Sequence, residues 1–368
     1  MPLETLSGFV VGVTADRRAD EQIAMLERRG AAVIHGPAIH THPVSVGGAL
    51  AEAIEDLIAH PPTVTILSTG IGVRGVVEAA EVLGRAEALV DALAGSRVYA
   101  RGPKAHGAAV TVGLPVEWSS PSGVSTEILD RLRREDLAGV RVALQLDGAG
   151  PRPLADALTG LGAVVVPIPV YRWSLPADTG PARRLAQAVA DRRVDAVTFT
   201  ARPQIESVCE MAETDGLLDA VRRGFARGVV VACVGPVCAE AAVAAGFGEP
   251  VVPVRPRLGS MVVRVSEALS ARTLRFRLGH DPACLQGRTF TLSGETVQLS
   301  ERERDLLGAL ARRPGVVLSK GELLAGVWPD GDADEHAVEV AVARLRRRLG
   351  PHGHLLETVF RRGYRLAS

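Results

Sequence analysis

The sequence predicts an α/β protein built from two similar units, followed by a smaller carboxy-terminal domain of different character. Three observations predict it. The chain resembles itself at an offset of about 132 residues, Val-rich runs alternate with stretches of helical period, and the pattern changes abruptly after SEALSA (residues 266–271). In the self-comparison, GFVVGV from Gly8 parallels GVRVAL from Gly139, and RGAAVI from Arg29 parallels LGAVVV from Leu161. VTILSTG from Val64 parallels AVTFTAR from Ala196, and Gly102-Pro103 with Gly113 parallel Gly235-Pro236 with Gly246. The order of all four landmarks is kept.

Within each repeat, short runs such as Val229 to Val234 read as strands buried on both faces, and stretches such as EQIAMLERRG read as crossover helices. That combination is a parallel sheet. Glycines after the strands, in STGIGV and CVGPVC, turn the backbone tightly at the carboxyl ends, where such sheets bind ligands; two similar units imply a cleft between them.

Composition limits the alternatives. With 368 residues and 47% hydrophobic content the chain can fill several cores, so it is globular. Lysine plus arginine and aspartate plus glutamate both total 42, so any basic surface is local. No basic leader or bilayer-length apolar run stands out, which predicts a cytoplasmic protein without a membrane partner. Cys209, Cys233, Cys238 and Cys284 form no CxxC pair, and the HxH of His40 and His42 has no further ligand. Neither disulfides nor a metal site is expected, and the cysteines read as buried thiols.

Beyond SEALSA, TLRFRLG and TFTLSGETVQLS read as strands, the second turning at Ser293-Gly294. Ser300 with Glu303 forms a capping box that starts a helix over RDLLGALARR, which Pro314-Gly315 ends. Ser319 with Glu322 starts a second helix, KGELLAGVW, and an acidic loop, PDGDADE, precedes a third, HAVEVAVARLRRRLG. In this last helix Val338, Val342, Leu345 and Leu349 recur at helical intervals, while four arginines occupy positions between Arg344 and Arg348. The apolar stripe faces a core. The opposite face carries His336, Val340, Ala343 and Arg347, flanked by Glu339, Arg344 and Arg346, and suits the major groove of duplex DNA. The final segment, ETVFRRGYRL, reads as a strand, a turn and a strand, with Arg361 and Arg362 at the tip, suited to phosphates or the minor groove.

The order and content of residues 5–268 resemble the uroporphyrinogen-III synthase family. The resemblance implies two α/β lobes joined by two connector strands: 1–36 with 173–268 as the first lobe, 44–166 as the second, and 37–43 with 167–172 as connectors. It implies no cofactor, since these enzymes close a linear tetrapyrrole with inversion of one ring unaided. Tyr171, in VYRW, matches the tyrosine that the family credits with assisting hydroxyl loss. The family's hydroxyl residues in the turns after strands correspond to Thr69, Ala105, Ala201 and Cys238, so only the first keeps a hydroxyl. The same loops carry Arg74, Arg101, Lys104, His106 and Arg202, with Thr14 and Arg17 after the first strand, a set able to hold an anionic tetrapyrrole.

Residues 272–368 resemble the winged helix-turn-helix domain of OmpR/PhoB-type response regulators, through VQLSERERDLLGAL, VVLSKGELLAGVW, HAVEVAVARLRRRLG and ETVFRRGYRL. That family usually has arginine and glycine where Phe360 and Arg361 stand. The resemblance implies double-stranded DNA as a partner, with RNA polymerase as a further one and pairing as a homodimer on repeated half-sites. The combination resembles actinobacterial regulators of nitrate and nitrite assimilation. Two readings stay open: a transcription regulator with a ligand-sensing synthase-like module, and a bifunctional protein that still makes uroporphyrinogen III.

Overall fold

The computed structural model describes residues 5–43, 47–146, 153–329, 331 and 333–367. The chain forms two compact units. One contains the first α/β lobe together with the carboxy-terminal domain, and the other contains the second lobe and the connector strands.

The first lobe is a parallel sheet in the order Val230–Cys233, Ala196–Phe199, Val10–Val13, Ala32–His35. The second lobe's parallel sheet runs Val116–Ser119, Arg97–Ala100, Val64–Leu67, Arg141–Gln145, Val164–Ile168. Both follow from strands too apolar to leave either face wet: Val64–Leu67, Ala196–Phe199 and Val230–Cys233 are buried at every position.

The internal repeat does not coincide with the lobes. The first copy contributes Val10–Val13 and Ala32–His35 to one sheet but Val64–Leu67 and Arg97–Ala100 to the other. The second copy contributes Arg141–Gln145 and Val164–Ile168 to the second lobe, then Ala196–Phe199 and Val230–Cys233 to the first. Each sheet is therefore assembled from both copies in the same strand order.

The repeats differ at one edge. Val116–Ser119 is a full edge strand, whereas its counterpart in the first lobe is the single bridge Ala232↔Val251. Pro253, two residues after that bridge, lacks the N–H group that a longer ladder would require. The connectors His40–Pro43 and Tyr171–Ser174 pair antiparallel, His40 opposite Ser174 and Pro43 opposite Tyr171.

The carboxy-terminal domain starts with an antiparallel meander of Leu274–Leu278, Asp281–Gln286, Thr289–Leu292 and Glu295–Gln298. The second strand, DPACLQ, opens with Asp-Pro, a pair that in the sequence has the look of a loop. It forms because Ala283 and Leu285 alternate into the core, with Pro282 near the strand's beginning. Helices Glu301–Ala311, Lys320–Val327 and Glu335–Arg348 follow, then a hairpin of Leu356–Val359 and Gly363–Leu366. Both capping boxes are made: Glu303 accepts from the Ser300 amide at 2.8 Å, and Glu322 accepts from the Ser319 amide at 2.8 Å. Asp334, in the acidic loop, caps the third helix by accepting from the Ala337 amide at 3.1 Å.

This domain docks directly on the first lobe. Only residues 271–273 lie between the helix Leu258–Ser270 and the strand Leu274–Leu278. The Arg288 amide donates to the Gly8 carbonyl at 2.8 Å, and Gln286 donates to the Ser7 carbonyl at 3.1 Å. Gly8 and Gly287 both have positive φ, and a Cβ on either would overlap atoms across the seam.

Beside the glycines lies a charged cluster of low exposure. Arg304 bonds Asp195 at 3.1 Å and Asp305 at 3.0 Å, while Arg192 meets Glu301 at 2.9 Å and Asp305 at 2.8 Å. Asp195 also accepts from the Val10 amide at 2.8 Å. Burial pushes the Asp195 carboxyl above its ordinary range despite that bond and the neighbouring arginines. Burial acts to lower Arg304, but Asp305 and Asp195 outweigh it and hold its proton more firmly.

Candidate nucleic-acid interface and ligand loops

The loops at the carboxyl ends of the two sheets each contain a polar hub. In the second lobe the Thr69 hydroxyl caps the helix Gly70–Val82 by accepting from the Gly72 amide at 3.1 Å, and it also accepts from Gln145 at 3.0 Å. In the first lobe Thr14 donates to the Thr198 carbonyl at 2.7 Å and approaches Gln204 at 3.1 Å. Gln204 accepts from the Thr200 amide at 2.7 Å, serving the turn where Ala201 has no hydroxyl.

These bonds correct the expectation for Thr14, which is 1% exposed and has its hydroxyl engaged inside the lobe. Thr69 is half-buried and likewise engaged, as a cap. The expected outcome for Thr69→Val is therefore a stability loss of about 1–2 kcal/mol, read by thermal or urea unfolding of the full chain.

The cations are placed differently. Arg74 and Lys104 are exposed, and Arg101 and His106 half-buried, around the starts of helices Gly70–Val82 and Pro103–Thr111. Those two starts lie close, because a Cβ on Gly70 would meet the Lys104 carbonyl. In the first lobe Arg17 is exposed, and Arg202 is paired with Glu206 at 2.6 Å. Tyr171 is placed by its backbone opposite Pro43; its side chain lies outside what is described.

The four cysteines are free thiols; Cys233 and Cys238 are buried, whereas Cys209 and Cys284 are only half-buried. Burial pushes the thiols of Cys209 and Cys284 up from their ordinary value. Among the described residues no group of His, Cys, Asp and Glu could hold a metal ion, and no helix is long and apolar enough to cross a membrane.

The helix Glu335–Arg348 has the two faces its sequence requires. Val338, Val342, Leu345 and Leu349 are each at most 3% exposed and pack into the domain's core. His336, Glu339, Ala343, Arg344 and Arg347 are exposed, and Val340 is half-buried. Arg344 and Arg347 have no charged or hydrogen-bonding side-chain partner among the described residues.

Two of the expected contacts have other work. Arg346 donates to the Leu356 carbonyl at 2.8 Å and to the Thr358 hydroxyl at 2.9 Å, so it braces the hairpin and does not face outward with its neighbours. Glu339 accepts from Lys320 at 2.6 Å and lies 3.5 Å from His336. The Lys320 hydrogen bond, then that of His336, holds the Glu339 carboxyl below its ordinary range. It ties the third helix to the second. Helical spacing identifies a face but not the tertiary partner of a long side chain, which is why the sequence grouped these residues with Arg347.

Arg361 and Arg362 sit exposed in the hairpin turn, where the Arg362 amide donates to the Val359 carbonyl at 2.9 Å. Arg361 has φ +59°, a left-handed conformation that favours glycine. Arg361→Gly is expected to stabilise the chain by up to about 1 kcal/mol, measured as a raised unfolding midpoint. Phe360 beside it is 81% exposed.

Comparison with known proteins agrees with this architecture. Residues 20–263 match the sequence model of the family described as uroporphyrinogen-III synthase HemD, and residues 294–366 match that described as transcriptional regulatory protein, C terminal. An uncharacterized Bacillus subtilis protein, YjjA, is 30% identical over 202 residues, covering 55% of this chain and 74% of the relative. A mutant uroporphyrinogen III synthase from the extremely thermophilic bacterium Thermus thermophilus, solved as a crystal structure, is 31% identical with a TM-score of 0.59, covering 72% of this chain and 99% of the other. The response regulator protein PmrA of Pseudomonas aeruginosa is 42% identical over 85 residues, covering 23% of this chain and only 36% of PmrA. The chain belongs to the uroporphyrinogen-III synthase family, and behind that module it carries a winged helix DNA-binding domain of the response-regulator type.

Proposed function

We propose that this protein is a transcription regulator that reads duplex DNA with the helix Glu335–Arg348 and the hairpin turn at Phe360 to Arg362, and whose synthase-like module senses an anionic ligand. The observation that carries the DNA reading is the pair Arg344 and Arg347, exposed and unpartnered among the described residues on a helix whose opposite face is buried. Guanidinium groups in that state meet guanine edges and phosphates without first breaking an internal ion pair.

For the sensor, the loop hydroxyls of Thr14 and Thr69 are engaged inside their lobes, while Arg17, Arg74, Arg101, Lys104 and His106 lie around the ends of their own sheets. That balance favours holding carboxylates over catalysis. An anionic tetrapyrrole is the ligand class proposed, genes of nitrate and nitrite assimilation or tetrapyrrole supply are the proposed targets, and RNA polymerase and a second copy on DNA are the proposed partners. The ligand regulates only if it prefers one arrangement of the protein over another.

Footprinting of the full chain on DNA upstream of such genes tests the proposal. Sequence-selective protection that weakens steeply with salt is expected, and uniform or absent protection overturns it.

Membership of the synthase family and the place of Tyr171 on the connector strand Tyr171–Ser174 favour a second reading, in which the enzyme activity survives. Hydroxymethylbilane fed to the purified protein decides between them. The sensor reading expects only the spontaneous isomer I; isomer III, formed more slowly by Tyr171→Phe, would establish the enzyme.

A further inference from the structure

We propose that Phe360 is a groove wedge: the turn between Leu356–Val359 and Gly363–Leu366 enters the DNA minor groove with an aromatic ring and bends the duplex there. The inference rests on the DNA-binding reading above.

The hairpin ends at the pair Val359↔Gly363, so residues 360–362 form its tip, and the Phe360 ring is 81% exposed. The domain's other two phenylalanines pack together, so Phe360 alone presents an aromatic face to solvent, and burying that face against a partner is favourable.

The surroundings identify the chemistry of that partner. The Arg361 guanidinium lies 5.2 Å from the ring centroid, and Arg361 and Arg362 are both exposed. The nearby carboxylate of Glu357 is already taken by Arg365 at 2.6 Å. An apolar ring in a cationic frame complements the wall of phosphates around an apolar base step, whereas the same tip on a second copy would repel it. The base of the hairpin is also held in place. Arg346 clamps the first hairpin strand at Leu356 and Thr358, which ties the base of the hairpin to the helix Glu335–Arg348. Partial insertion of an apolar side chain between base pairs unstacks them and kinks the duplex.

The test uses the full chain and a duplex that the wild-type protein enriches from a random-sequence pool, with affinity measured by titration and bending by circularly permuted fragments. Wild type is expected to bend this duplex. Phe360→Ala should lose about tenfold in affinity together with most of the bend, and Phe360→Trp should keep both. Phe360→Arg should keep affinity through phosphate contact but lose the bend. An unchanged bend with affinity within twofold for Phe360→Ala overturns the wedge, and so does an effect of that variant confined to self-association. Failure of the wild type to enrich any duplex would instead overturn the DNA-binding reading and the wedge with it.

Discussion

Arg304→Ala is expected to lower the stability of the full chain by about 3 kcal/mol, because it leaves Asp195 as a low-exposure carboxylate without its ion-pair partner and Asp305 with Arg192 alone. The side chains of Arg304 and Asp195 are 19% and 10% exposed, so solvent screens this pair little. Asp195→Asn should be much milder, under about 1.5 kcal/mol at pH 7, since the amide oxygen still accepts from the Val10 amide and no charge is desolvated. The sign of the pH effect follows from the raised Asp195 value. The native carboxyl binds its proton more readily than the unfolded one, so its contribution favours the native state as pH falls through the raised value and is withdrawn as pH rises through it. Urea titrations at pH 7 and pH 5 measure both effects. Equal losses for the two variants would show that the cluster does not hold the DNA-binding domain to the lobe through charge.

The start of the helix Glu301–Ala311 is fixed to the starts of strands Val10–Val13 and Ala196–Phe199, and the Gly8 and Gly287 backbones close beside it. The domain is thus joined to its lobe by ion pairs and backbone hydrogen bonds, with only residues 271–273 between the last helix of the lobe and the first strand of the domain.

Arg347→Ala is expected to weaken binding to an enriched duplex by about 10- to 100-fold while leaving stability unchanged, because the side chain is exposed and has no internal partner to lose among the described residues. Arg347→Lys should not restore selectivity if the guanidinium reads a guanine edge with both of its arms. Arg346→Ala should behave in the opposite sense. It removes the bonds to Leu356 and Thr358, costing about 1–3 kcal/mol of stability, and weakens DNA binding only through a loosened hairpin. Titration and urea unfolding on the same three variants separate the two roles. Equal DNA and stability effects at Arg346 and Arg347 would contradict the division of the helix into a braced edge and a free face.

What the sequence made legible was local or periodic. The boxes at Ser300–Glu303 and Ser319–Glu322 close over three residues, and the stripe from Val338 to Leu349 needs only helical geometry. The parallel sheets were legible because the repeat displays each strand twice. The edge strand that survives at Val116–Ser119 shrinks to Val251 in the other copy, where Pro253 follows two residues on.

Long-range partners were not legible. Thr14 looked like a loop donor until Gln204, 190 positions away, engaged its hydroxyl, and Arg304 meets Asp195 across 109 positions. Asp334 disappeared into an acidic run because its neighbours have the same charge, although it alone caps the helix start. Asp281–Gln286 was hidden by its proline, since a meander tolerates near a strand's beginning a residue that a strand centre would reject.

The central claim is that Arg344 and Arg347 form a free cationic face that reads duplex DNA while the domain stays docked on a synthase-like lobe. Its most direct test is the affinity of the full chain for an enriched duplex and for its scrambled counterpart, measured across salt concentrations with wild type and the double variant Arg344→Ala, Arg347→Ala. Selective binding that falls steeply with salt, with selectivity lost and a shallower slope in the double variant, is the predicted result. Affinity indifferent to salt, or selectivity unchanged in the double variant, would contradict it.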